Sequence, residues 1–198
     1  TPISMDHMNF LGSKISLIAR EKLGIIKNSE RVVISKQKSY VKYLTRNYLK
    51  NIKTNSYEEG IDWKVLKKDY KKRRFTMRFK EEVCEFSFPS LYGDHQIDNA
   101  STAISTILSI NDFNIAKESI NSGLLKTNWP ARMQKLNGRL SKIAGKAFDI
   151  WLDGGHNLDA AEMLSKVFNS WDEKKIILII GMINGKDPIK FLNKLIHN

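Results

Sequence analysis

The spacing of apolar positions changes period several times along the chain. From Ser13 to Leu23, Ile15, Ile18, Ala19 and Leu23 recur on one helical face, and Gly24 supplies a C-terminal stop. Val32-Val33-Ile34 predicts a short buried strand, and helical spacing returns over Lys38–Leu49 and Ile61–Tyr70. Phe75, Met77 and Phe79 then alternate with polar residues, as do Cys84, Phe86 and Phe88, which predicts a hairpin. Pro89 and Gly93 break the pattern before a long helix over Gln96–Ile110, with Ala100, Ala103, Ile104, Ile107 and Leu108 inward. A further helix is predicted over Ile115–Leu125, and Ile3–Met5 reads as the tail of a strand.

Lys126-Thr127-Asn128-Trp129-Pro130 is the best linker candidate. After it the pattern predicts strand (Met133–Leu136), strand (Ala147–Leu152), helix (Ala160–Phe168), strand (Ile176–Ile180) and helix (Pro188–His197). The β-α-β-α order with continuous apolar strands implies a parallel sheet. Two or three strands are too few to cover both faces of such a sheet, so a fragment cut at both ends is expected. No internal repeat is present.

Composition changes this picture little. The chain is 41% hydrophobic and 10% aromatic, as in globular domains, and no apolar run approaches the roughly 20 residues needed to span a membrane. The amino terminus lacks a charged-then-apolar signal pattern, and the lone Cys84 cannot form an internal disulfide, so a cytoplasmic location is expected. Cys84 alternates with Phe86 and Phe88, which makes it a core residue and not a nucleophile.

Charge is more informative. The net charge of +12 is concentrated in residues 31–80, which hold 16 Lys/Arg against 4 Asp/Glu, while the rest of the chain balances. Interleaved Tyr40, Tyr43, Tyr48, Tyr57, Trp63 and Tyr70 would suit a nucleic-acid surface. A solvated basic face with core aromatics is the preferred reading, so nucleic acid is not the expected partner. Such a face would also steer a small polyanion.

Four clusters carry candidate chemistry. Asp6-His7 is followed one helix later by Glu21-Lys22; a His joins a hard-metal site only when oxygen donors accompany it. Gly93-Asp94-His95-Gln96-Ile97-Asp98-Asn99-Ala100 opens a helix, where free N–H groups accept anions but where Asp and Asn also serve as caps. Trp129-Pro130-Ala131-Arg132-Met133-Gln134 places an Arg, suited to bidentate phosphate contact, just past the linker. Finally the apolar run to Leu152 stops at Asp153-Gly154-Gly155-His156-Asn157, a carboxylate, two glycines and an imidazole at a strand end, where open α/β sheets bind ligands. Asp and Asn are also ordinary turn and cap residues there. Gly181-Met182-Ile183-Asn184-Gly185-Lys186-Asp187 follows the next strand.

In this order and spacing the clusters resemble a known family. Asp6-His7-x3-Leu11-Gly12, Ile18-Ala19-Arg20-Glu21-Lys22-Leu23-Gly24-Ile25-Ile26-Lys27, Gly93-x-His95-Gln96-x2-Asn99-Ala100, Trp129-Pro130-x-Arg132-Met133-Gln134, Asp153-Gly154-x-His156-Asn157 and Gly181-Met182-x3-Lys186-Asp187 resemble folylpolyglutamate synthase/dihydrofolate synthase, of the Mur ligase superfamily. The resemblance is weakest over the basic block. It implies an α/β fold: the end of a P-loop-type central ATPase domain over 1–127, then the first half of a Rossmann-like C-terminal domain over 128–198.

The resemblance also implies an ATP-dependent ligase that joins L-glutamate to dihydropteroate or folate through an acyl phosphate, with ATP and Mg²⁺ as cofactors. His7 would bind Mg²⁺, and Lys22 would join it as a carbamate, an oxygen ligand. Asn99, with His95 and Gln96, would shape the adenine pocket. Arg132 would reach the ATP phosphates, Asp153 would hold the ribose or orient the nucleotide, and His156 would lie beside the acyl phosphate and incoming glutamate. Lys186 and Asp187 match a less well-defined motif.

Some positions depart from the family pattern. Leu158 stands where Pro is usual, Gly155 where Ala is usual, Ala131 where Gly is common, and Gly185 where an acid is usual. No Gly-rich loop ending in Gly-Lys-Ser/Thr is present, nor is an upstream Glu to share the metal, so this stretch alone is expected to be inactive. A monomer without membrane contact is expected. The rivals are a peptidoglycan-precursor or cyanophycin ligase and, from another class, a basic nucleic-acid-binding module; His95-Gln96 and the Glu-Lys-x-Gly-Ile-x-Lys run favour the folate branch.

Overall fold

The structure is a computed structural model that describes residues 1–6, 8–27, 31–110, 112–145, 147–171 and 175–196. In chain order its elements are α1 (Met8–Leu11), α2 (Ile15–Leu23), β1 (Arg31–Ile34), α3 (Ser39–Leu49), β2 (Asn55–Glu58), β3 (Trp63–Asp69), β4 (Arg74–Phe79), β5 (Glu82–Ser87), α4 (Asp94–Ser109), α5 (Lys117–Lys126), β6 (Gln134–Lys135), α6 (Arg139–Ala144), β7 (Trp151–Leu152), α7 (Leu158–Asn169) and α8 (Pro188–Ile196). They form two compact units: Thr1–Ile3 with Ile15–Trp129, and Ser4–Lys14 with Pro130–Asn198.

In the first unit, β1 and β2 run parallel, Arg31 opposite Asn55 through Ile34 opposite Glu58. A parallel pair needs a crossover, which α3 supplies. Glu58 closes that crossover: Lys42 lies 2.6 Å from its carboxylate, and Arg46 donates to both oxygens at 2.8 and 2.9 Å. Two cations of the basic block thereby share one carboxylate, which offsets one of their two charges.

Strands β3, β4 and β5 form an antiparallel sheet, with β4 in the centre. The hairpin predicted from alternation is β4–β5, with Phe75, Met77, Phe79 and Phe86 inward and buried. Ile97, Ala100 and Ile104 of α4, with Ile120 and Leu124 of α5, complete this core, and half-buried Cys84 packs against it. Each large apolar side chain so buried contributes roughly 1.5–3 kcal/mol.

Ile61–Tyr70, predicted as a helix, is strand β3. Its register shifts between Val65 and Lys67, leaving Leu66 as the extra, exposed residue of a bulge. The bulge changes the phase of alternation, so apolar positions that belong to a strand mimic helical spacing. Ile3–Met5 likewise forms no strand. Ile3 is buried and donates its N–H to Gln37 Oε1 at 2.9 Å.

In the second unit, β6 and β7 pair antiparallel over only two residues each. The parallel sheet predicted there is not formed among the described residues. Residues 175–183 contain no strand, and Ile177, Ile179 and Ile183 are exposed. A strand exists through its ladder, and among the described residues no partner strand supplies one. The core of the unit comes instead from α7 and α8: Ala161, Leu164, Val167, Phe191 and Leu195 bury against Met133. Trp171 adds ring contacts to Trp151 at 5.3 Å and Phe168 at 5.4 Å.

Candidate functional site

The strand-end motif of the second unit is a network of fixed backbone and side-chain bonds. Asp153 follows β7, and both its oxygens are used. Oδ1 accepts from Gly155 N at 2.7 Å, an Asx-turn, and Oδ2 accepts from Met133 N at 2.8 Å, across 20 residues of chain. Gly155 is required here: a Cβ would stand 2.8 Å from Asp153 Oδ1 and 2.9 Å from Ala160 Cβ. Gly154 N donates to Ala131 O at 2.9 Å, a second tie between the same two loops.

The loop so held carries Arg132. Its neighbours Ala131 (φ 56°) and Met133 (φ 43°) both lie in the left-handed region that non-glycine residues avoid. Met133 is buried in the core while Arg132 is exposed. Its Nη1 lies 4.0 Å from the position a Cβ would take on Gly154. Arg132 makes no hydrogen bond or ion pair with any described residue. A strained, doubly anchored loop presenting an unpaired guanidinium beside a glycine suits a planar anion.

His156 and Asn157 complete the motif. His156 Nδ1 lies 3.0 Å from Gly154 O, and a carbonyl only accepts, so Nδ1 carries a proton. Asn157 caps α7, its Oδ1 accepting from Ala160 N at 2.9 Å. Leu158 is the first helical residue, where proline is also tolerated, so this departure leaves the helix start intact.

A carboxylate from far away in the chain joins these groups. Asp6 accepts from Asn157 Nδ2 at 3.0 Å through Oδ2 and from Lys186 Nζ at 2.8 Å through Oδ1; His156 Nε2 lies 3.6 Å from Oδ2. Asp187, next to Lys186, starts α8: its Oδ1 accepts from Lys190 N at 2.9 Å, and that bond holds its carboxyl below the usual carboxylate range. Sequence reasoning placed Asp6 in a different cluster from His156 and Lys186. Nothing in the local pattern signals a pairing across 180 residues.

The first unit holds the remaining candidates. Gly93, at φ 108°, precedes α4, whose first turn contains Asp94, His95 and Gln96. Buried Gln96 donates through Nε2 to His95 Nε2 at 2.9 Å and accepts from Asn99 Nδ2 at 3.2 Å through Oε1. This small amide–imidazole network offers donors and acceptors together at an exposed Asn99, a donor set that fits a purine edge. Asp94 is committed elsewhere: Tyr70 Oη donates to it at 2.7 Å, and Lys68 lies 3.2 Å away. Burial, then the bond to Asp94, pushes the Tyr70 phenol up to about 12.

Lys22 is an exposed residue in the last turn of α2, one turn beyond buried Ile18. His7 lies outside the described residues. Among the described residues no group of three or more His, Cys, Asp or Glu side chains is arranged for a metal ion. The Lys22 ammonium is no ligand for a hard cation as it stands and would become one only by gaining oxygen donors, as in a carbamate.

Comparison with known proteins covers both units. Residues 134–198 match the family described as dihydrofolate synthetase, C-terminal domain. The dihydrofolate synthase/folylpolyglutamate synthase of Bacillus subtilis is 28% identical, aligned over all of this chain and 46% of its own length. The dihydrofolate synthetase of Saccharomyces cerevisiae is 24% identical with the same coverage. The chain thus spans about half the length of the curated relatives it matches. Among solved structures, a folylpolyglutamate synthase–AMPPCP–folate complex superposes with a TM-score of 0.83 at 24% identity, over 98% of this chain and 47% of that one. E. coli FolC in complex with DHPP and ADP superposes with a TM-score of 0.80 at 20% identity, over 98% and 43%. A bifunctional folylpolyglutamate synthase/dihydrofolate synthase with Mn, AMPPNP and L-glutamate bound gives 0.78 at 22%, over 98% and 43%. The chain has the α/β Mur ligase fold of these enzymes, and the resemblance carried by its motifs extends along its whole length.

Proposed function

We propose that this chain is part of an ATP-dependent C–N ligase that adds L-glutamate to dihydropteroate, to folate polyglutamates, or to both. Residues 1–127 would be the late part of its ATP-binding domain and 128–198 the first part of its glutamate-ligase domain. In this reaction a substrate carboxylate oxygen attacks the γ-phosphorus of ATP and displaces ADP, giving an acyl phosphate. The amine of glutamate then attacks the acyl carbon and loses a proton, and inorganic phosphate leaves with the bonding electrons. Such chemistry depends on positioning and charge stabilisation more than on covalent participation by the protein.

The roles follow from what each side chain has available. Arg132 is the cation for the transferring phosphoryl group, and this observation carries the reading. Its guanidinium has no partner among the described residues, and its loop is fixed on both sides by Asp153 and Gly154. Asp153 acts mainly as the clamp of that loop, since two backbone N–H groups already occupy its oxygens; its remaining lone pairs would receive a ribose hydroxyl. His156 presents Nε2 toward the incoming amine. Asn99, Gln96 and His95 would take the adenine. Mg²⁺, with His7 and carbamylated Lys22 as its ligands, would supply countercharge to the phosphates.

The test is ADP release by the complete enzyme. Turnover is expected only with ATP, glutamate and a folate or pteroate together. Arg132→Ala should lower kcat about 10²–10³-fold, the scale of one lost electrostatic contact to a transition state, with an unchanged circular dichroism spectrum. Near-normal rates in that variant refute the phosphate role. Turnover with a UDP-linked peptide in place of folate would move the assignment to a peptidoglycan-precursor ligase. Tight, steeply salt-dependent RNA or DNA binding without turnover would favour a nucleic-acid module.

A further inference from the structure

We propose that Asp6 is a positioning residue for this reaction, its carboxylate holding the Lys186 ammonium in one fixed place beside the His156 imidazole. The proposal rests on the ligase reading above. Three groups from two distant segments converge on the one carboxylate, and two of them are themselves restrained. Asn157 is fixed as the cap of α7, so its amide locates Asp6 Oδ2. His156 is pinned through Nδ1 to Gly154 O, so its Nε2 edge is turned toward the same oxygen. Lys186, with four flexible methylenes, has no comparable restraint except Asp6 Oδ1 at 2.8 Å.

The shielding of this pair sets it apart within the unit. The side chains of Asp6 and Lys186 are 17% and 19% exposed, whereas Lys166 and Lys190, in ion pairs with Glu162 and Asp187, are each 73% exposed. Exposed pairs contribute little, whereas the partner left by breaking a shielded pair must move out to water. Without Asp6, the Lys186 ammonium would leave for solvent, and the Nε2 edge of His156 would lose its facing charge. A residue that only stapled residues 4–14 to the strand-end loop would need the bond to Asn157 but no negative charge.

Asp6→Asn separates these roles, because asparagine keeps the volume and an acceptor for Asn157 but cannot pair with an ammonium. Steady-state ADP release by the complete enzyme is the readout, with ATP and glutamate varied in turn. Asp6→Asn is expected to lower kcat/KM for glutamate at least about tenfold while KM for ATP stays within about twofold. Asp6→Glu should recover part of the loss, and the melting temperature of Asp6→Asn should stay close to that of the parent. If Asp6→Asn does not fold, Asn157→Ser, which keeps a capping hydroxyl but not the amide bond to Asp6, should show the same glutamate-selective loss at smaller size. Unchanged glutamate kinetics in these variants overturn the proposal. So does an equal loss for both substrates that tracks thermal stability and is not relieved by Asp6→Glu. If the unsubstituted enzyme itself shows no glutamate-dependent turnover, the ligase reading fails and takes this proposal with it.

Discussion

The two units reach stability by different routes. In the first, a three-stranded sheet with six residue pairs in each of its two ladders buries Trp63, Phe75, Met77, Phe79 and Phe86 against two helices. In the second, sheet pairing among the described residues is limited to two residue pairs, and two helices supply most of the core. The second unit also carries the more apolar run, residues 176–180, yet Ile179 there is 93% exposed while Phe75 is 1% exposed. Hydrophobicity alone therefore does not make a strand or a core. A run of isoleucines needs a neighbour with free backbone groups, and the first unit provides such neighbours where the second does not.

The contrast can be broken by substitution. Phe75→Ala should cost about 3–5 kcal/mol, the range for truncating a buried Phe, whereas Ile179→Lys should stay within about 0.5 kcal/mol. Denaturant titration followed by tryptophan fluorescence measures both, because Trp63 reports on the first unit and Trp151 and Trp171 on the second. A large loss in Ile179→Lys would mean that the apolar run is covered in solution and that the contrast is not real.

The next effect reverses sign. Ala131 is held at φ 56°, a conformation in which glycine pays no Cβ penalty. Ala131→Gly should therefore stabilise the second unit by about 1 kcal/mol, seen as a higher denaturation midpoint at Trp151 and Trp171. A destabilised variant would show that the unfolded-chain entropy of glycine outweighs the relief of strain, and that the Arg132 loop is less strained than its dihedral implies.

The smallest effect belongs to the first unit. The Tyr70 phenol is raised from 10.0 to about 12 in the fold, so the folded state holds this proton more tightly than the unfolded chain does. Its contribution is complete below pH 10 and is lost as pH rises toward about 12. Stability should fall more steeply across that window in the parent than in Tyr70→Phe. Identical pH profiles would mean that the bond to Asp94 is not maintained in solution.

Much of the first unit was legible in the linear pattern. The helices at Ile15–Leu23, Ser39–Leu49, Asp94–Ser109 and Lys117–Lys126 lie where periodicity and glycine stops put them, because amphipathic faces are local signals. Strand β3 was misread because its bulge at Leu66 changes the phase of alternation, and β2 was missed because Asn55-Ser56-Tyr57-Glu58 has little strand character without β1 beside it. The site was partly legible in the same sense. Asp153, His156 and Arg132 announce themselves by residue type beside glycines and a strand end. Their bonding does not, and Asp6 could not be assigned to them from spacing.

What the sequence determined by itself was helices α2, α3, α4, α5, α7 and α8, the β4–β5 hairpin and the ordered motifs that resemble a folate ligase, all written within short windows of residues. Only the tertiary structure decided that residues 176–180 form no strand ladder, that both oxygens of Asp153 are committed to backbone N–H groups, and that Asp6 meets Lys186 and Asn157. The bonds of Asp153 to Met133 and of Asp6 to Asn157 and Lys186 each span 20 or more residues of chain. Periodicity reads which face of an element is apolar, but hydrogen bonds and ion pairs between distant segments are settled only when the chain brings their partners together.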